Sequence, residues 1–257
     1  MDFFQHTGSP LIVLFVLGIT FFAGVIKGVV GFGMPTMLIA GLGSVVAPDV
    51  ALAGLILPTL ATNFWQALRH GIAAAIETVL RFRIFLAVGG IMLVGSSQLV
   101  PRLTPSTMYF VIGIPITIYA MATLAGRQLR LSPNLGARAE AAIGAVAGFF
   151  GGLTGVWGPP TIAMLTAQNT EKSDQVRIQG VIYGLGALAL VGGHIGSGVL
   201  RAETIPLSLA LIPPALFGIW LGFKLHDRID QITFKKVTLA FLLLAGLNLV
   251  RRGVMTF

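Results

Sequence analysis

The sequence predicts an all-α fold: a polytopic transmembrane helical bundle of two inverted repeats, each carrying a broken or re-entrant Gly/Pro hairpin. Three observations lead there. Hydrophobic residues make up 55% of the 257 and charged residues only 10%, with a mean hydropathy of +0.90. A soluble domain carries about a quarter charged residues. Several apolar runs reach or approach the ~18 residues that cross roughly 30 Å of hydrocarbon. Finally, the phrase "GVVGFGMP" (Gly28–Pro35) returns 124 positions later as "GLTGVWGPP" (Gly152–Pro160).

Composition excludes several classes at once. Cysteine is absent, which rules out disulfides, thiol chemistry and a thiolate metal site. The net charge of +8 is not a nucleic-acid signal, because the Lys and Arg residues lie between apolar runs, where the positive-inside effect places them. The stretch "MDFFQHTGSP" has neither a basic region nor a small-residue cleavage pattern, so it reads as mature chain rather than a removed signal peptide.

Apolar segments run at 11–30, 35–47, 50–69, 83–100, 106–125, 140–157, 159–168, 176–199, 205–223 and 234–250. The second and seventh are too short to span. Each opens just after a Gly-rich break, at Pro35 or Pro159, as expected because proline starts a helix but does not continue one. The stretch "LHDRIDQITFKKV" (Leu225–Val237) reads as a loop between the last two segments. The chain is expected to be a single membrane domain, 1–257. Repeat one spans 8–125, repeat two 138–252, and a hydrophilic loop at 126–137 joins them.

The repeat register rests on five identities. A shift of 124 lays Gly24 on Gly148, Gly28 on Gly152, Gly31 on Gly155, Pro35 on Pro159 and His70 on His194. Charge decides the topology. If the short segments merely extend their predecessors, nine Lys/Arg fall on one side and seven on the other. If each short segment folds back, the split is twelve against four, with Lys27 left within the membrane. The second arrangement obeys the positive-inside bias. It gives each repeat an odd number of crossings, inverts the repeats, and places both termini on the periplasmic side.

Irregular backbone survives in a membrane where it lines a cavity. Two breaks entering from opposite faces would meet near the midplane. Half-helices starting at Pro35 and Pro159 would aim unpaired N–H groups there, which is an anion site. The competing reading for Gly24 and Gly148 is close helix packing through small residues.

Lys27 is the sharpest single feature, an ionisable residue deep in the first segment. With no carboxylate close in sequence, it is expected to anchor an anionic substrate; the alternative is snorkelling to the interface. Thr59, Asn63, Gln66 and His70 form one polar stripe at helical spacing. Asn63 and Gln66 supply donors for anion oxygens, or else hydrogen bonds between helices. The matching face of repeat two is sparser, with Gln179 and Tyr183, so an asymmetric site is expected. Trp157 lies inside the second break, where it would gate or line a pocket. Trp65 and Trp220 read as interface or packing residues. Arg69, Arg81 and Arg83 read as cytoplasmic anchors, and His70 and His194 as solvated interfacial histidines. No catalytic triad, paired carboxylates, metal-ligand spacing or Walker-type loop occurs within the segments, so the expectation is no enzyme, no metal and no cofactor.

The motifs "AGVIKGVVGFGMPTM" (Ala23–Met37) and "AGFFGGLTGVWGPPTIAML" (Ala147–Leu165) resemble those of the sulfite exporter TauE/SafE family. "TNFWQALR" (Thr62–Arg69) is similar to one of its subgroups. Lys27 stands where the family wording commonly has glycine. The resemblance implies a multi-pass secondary transporter of a bacterial inner membrane, moving sulfite, organosulfonates or related small anions, often outward. The substrate-contacting residues expected are Lys27, Gly31, Phe32, Gly33, Pro35, Thr36, Asn63 and Gln66 from repeat one. Repeat two adds Gly155, Trp157, Gly158, Pro159, Gln179 and Tyr183. A coupling proton or sodium ion and a homodimer are compatible partners beside the bilayer; nucleic acid is not. An anion channel or passive pore is the alternative function.

Overall fold

The computed structural model describes residues 10–69, 71–127, 136–168, 170, 172–225 and 231–256, and no strand occurs among them. Helix α1 (Pro10–Val30) stops at Gly31 and Gly33, whose φ values of 84° and 93° lie in the left-handed region that glycine tolerates. Helix α2 (Met34–Leu42) then starts with Pro35 in its first turn. It returns beside α1, so that a Cβ on Gly41 would lie 2.5 Å from Ile19 Cγ1. Helix α3 (Pro48–Leu68) follows, then α4 (Ile72–Arg81), α5 (Arg83–Ser97), a 3₁₀ turn at Val100–Arg102, and α6 (Pro105–Leu124). The Thr104 Oγ1 caps α6 by accepting the Thr107 N–H at 3.2 Å.

The second half repeats this order. Helix α7 (Ala137–Thr154) stops at Gly155, φ 73°, and α8 (Gly158–Ala167) starts three residues later. Then come α9 (Lys172–Gly196), α10 (Ile205–Ala210), α11 (Ile212–Leu225) and α12 (Gln231–Met255). Among the described residues, six helical stretches are long and apolar enough to cross a membrane: Pro10–Val30, Pro48–Leu68, Arg83–Arg102, Pro105–Leu124, Asp174–Gly196 and Ile205–Leu225.

The packing is crosswise. Helix α1 lies against α11, where Gly24 meets Gly218 and Gly28 meets Gly222. Helix α7 lies against α5, where Gly144 faces Phe85 and Gly148 faces Gly89. So Gly24, Gly28 and Gly148 let helix backbones touch, the small-residue role. Helices α6 and α12 pair through Gly113 and Gly246. Helices α3 and α9 cross at the centre, with Gln66 next to Val176 and Asn63 next to Tyr183, so they run antiparallel.

Pro58 lies within α3 and deprives the Gly54 carbonyl of its helical partner. Ser208 on α10 donates to that carbonyl at 3.2 Å and accepts the Leu57 N–H at 3.1 Å.

Three expectations need correction. The short helices begin at Met34 and Gly158, one residue before the prolines. The stretch Leu225–Val237 is not all loop, because α12 is helical from Gln231; residues 226–230 lie outside the described part. Helix α4 was not expected. Its Ile72, Ile76 and Leu80, spaced by four, are exposed on one face. Most of the inter-repeat loop, 128–135, lies outside the described residues.

Candidate functional site

Both helix breaks line one small cavity. Its walls are Lys27, Phe32, Gly33, Pro35, Thr36, Asn63, Val156, Trp157, Gly158 and Tyr183. Its volume is ≈ 20 Å³, room for about one water molecule. Lys27 is 1% exposed and its ammonium donates to Asn63 Oδ1. No carboxylate pairs with it among the described residues. The side chain does not snorkel; it is enclosed by protein. Asn63 is held in turn by donating Nδ2 to the Tyr183 carbonyl at 3.1 Å.

The helix starts add to the positive character. In α2, Pro35 carries no N–H, so Met34 and Thr36 bear the free donors of the first turn. In α8, Pro159 and Pro160 remove two donors, leaving Gly158 alone in the first turn. The Val156 N–H is already taken by Thr154 Oγ1 at 3.2 Å. The first break therefore offers more to an anion than the second.

Five expected site residues do not line the cavity. Gln66 works behind it, donating Nε2 to the Gly31 carbonyl at 3.1 Å and the Val176 carbonyl at 2.8 Å. It staples the first break to α9. Gln179 abuts Gly31 with its Oε1 buried and unpartnered. Gly31 and Gly155 supply the positive φ of the breaks, and Pro159 lies in the first turn of α8. Val156 lines the cavity and was missed; its position between Gly155 and Trp157 was the available signal.

The polar stripe of α3 faces inward, with Thr59, Asn63 and Gln66 all at most 1% exposed; His70 lies outside the described residues. His194 is not solvated. It is fully buried, with Nδ1 3.1 Å from Ser197 Oγ. The smaller neighbours Gly193 and Gly196 let helices close around it. Trp65 and Trp220 are each 39% exposed.

The model of the sulfite exporter TauE/SafE family matches residues 16–249, nearly the whole chain and both breaks. The chain belongs to that family. No curated protein and no solved structure matches it. As a TauE/SafE member it is a multi-pass membrane transporter rather than an enzyme. The cavity shared by its two breaks is where a buried lysine meets two helix starts.

Proposed function

We propose that this protein carries a small anion (sulfite, an organosulfonate or a related organic anion) by alternating access around the cavity between the two breaks, and that it exports it. One observation carries the reading: the Lys27 ammonium is enclosed by protein, touches the cavity and has a neutral amide as its partner. A buried charge without a counter-charge is costly by several kcal/mol. A bound anion supplies the missing charge. Lys27, Thr36, Asn63 and the first-turn N–H groups of α2 would hold its oxygens, and Phe32, Trp157 and Tyr183 would close around it.

The antiparallel crossing of α3 and α9, which occupy matching places in the two repeats, supports the inverted arrangement. So does the crosswise packing of α1 on α11 and α7 on α5. The near-closed cavity favours alternating access over an open pore.

The test is a thermal-shift panel of sulfite, organosulfonates, carboxylates and sulfate on purified protein, with Lys27→Met alongside. Stabilisation of wild type by at least one anion, lost in Lys27→Met, is expected. Equal shifts in both would remove Lys27 from the site. Saturable counterflow in proteoliposomes separates a transporter from a pore.

A further inference from the structure

We propose that Trp157 is the gate of this cavity, and that its indole swings into an adjoining apolar cleft to make room for the anion. The inference rests on the anion-site reading of Lys27.

The cavity holds ≈ 20 Å³, about one water, so a sulfur oxyanion enters only if a wall moves. Most polar walls are tied. Lys27 is bonded to Asn63, and Asn63 to the Tyr183 carbonyl. The Trp157 side chain makes no hydrogen bond among the described residues, although its backbone carbonyl accepts from Thr161 Oγ1 at 2.9 Å. Its ring moves without breaking a polar contact.

The ring also lies in a slot made by two glycines. A Cβ on Gly151 would come 3.0 Å from its Cε3, and one on Gly186 would come 3.2 Å from its Cε2. A cleft of ≈ 350 Å³, whose walls do not include Lys27, lies between α5, α7 and α9. Its walls include Leu86, Gly90, Leu93, Ile182, Leu185 and Ala189, all apolar or glycine. Trp157 is the residue common to the walls of cleft and cavity. Moving the indole across enlarges the polar side and keeps an aromatic surface in apolar surroundings.

The chain has no cysteine, so a single reporter thiol is clean. Thr36→Cys puts it on the cavity wall. The measurement is the rate of its modification in purified protein by an anionic sulfonate-bearing methanethiosulfonate and by a neutral one of similar size. Adding Trp157→Ala should accelerate both reagents by roughly tenfold or more, a barrier change of about 1.4 kcal/mol. Adding Gly90→Leu should slow both by a similar factor. A Cβ at Gly90 meets nothing within 4 Å, so the new side chain fills the cleft without disturbing the helix contact. Rates unmoved in Trp157→Ala, or wild-type rates in a folded Gly90→Leu, overturn the gate. If Trp157→Ala fails to fold, Gly90→Leu alone decides. If both variants shift the rates as expected, but the anionic reagent gains nothing from Lys27 over Lys27→Met, the gate stands and the anion reading falls.

Discussion

Replacing Lys27 with Met should move affinity and stability in opposite directions. Met keeps much of the stem volume and removes the charge. In the ligand-free protein, the buried ammonium has one neutral partner, Asn63 Oδ1. Removing it relieves a desolvation penalty of several kcal/mol. It also strands one buried carbonyl oxygen, at about 1–3 kcal/mol. The ligand-free thermal midpoint should therefore hold or rise. Anion affinity should fall, because a charge-assisted contact is worth about 1.5–3 kcal/mol, or roughly ten- to a hundredfold in Kd. Lys27→Arg should rescue only in part, since a planar fork does not replace a compact ammonium in so small a cavity. Calorimetric binding on the three proteins, with melting curves from the same preparations, is the assay. A lower ligand-free midpoint with unchanged affinity in Lys27→Met would refute the reasoning, because it would make Lys27 a structural tether of Asn63.

Further outcomes follow from other contacts. Gln66→Leu strands the buried Gly31 carbonyl and removes a second bond to the half-buried Val176 carbonyl, and should cost about 1–3 kcal/mol of stability. Gln179→Leu, which removes a buried Oε1 that has no partner, should be near neutral; chemical denaturation compares the two, and equal losses would contradict the staple. Gly148→Ala drives a Cβ into the Gly89 carbonyl and should destabilise by about 1–3 kcal/mol. Gly90→Ala, which meets open space, should gain up to about 1 kcal/mol from helix propensity; detergent melts with the same sign for both would be the failing result. A reporter fused after Phe257 should be periplasmic and one inserted at 126–140 cytoplasmic. Finding both on one side would end the inverted-repeat reading.

Much of the candidate cavity's lining was legible because its residues break local rules. Glycine and proline inside apolar segments mark α1–α2 and α7–α8, and a lysine at that depth has few explanations. Lys27, Phe32, Gly33, Pro35, Thr36, Asn63, Trp157, Gly158 and Tyr183 do line one cavity. What sequence could not carry was pairing across long distance. Nothing near Gly24 says that Gly218 will cover it, and nothing near Gln66 says that its amide will reach Val176. Helix α4 was missed for a different reason. Its Ile72, Ile76 and Leu80 recur by four, but Glu77, Thr78 and Arg81 interrupt it and its 10 residues are too few to read as an apolar spanning segment. Position near a segment end suggests exposure for His194, whereas the neighbouring Gly193 lets α5 close in at Ser97 and the ring is buried.

The crosswise packing also constrains how the protein is made. Gly24 is synthesised early and has to wait in the bilayer, its small-residue face uncovered, until Gly218 emerges. Gly148 has no such wait, since α5 is already present when α7 arrives. The two halves of the chain thus differ in their exposure to quality control. A first half expressed alone, residues 1–127, should be degraded or self-associate, and co-expression of 136–257 should rescue it as a copurifying pair. Stable monomeric accumulation of the first half would contradict this.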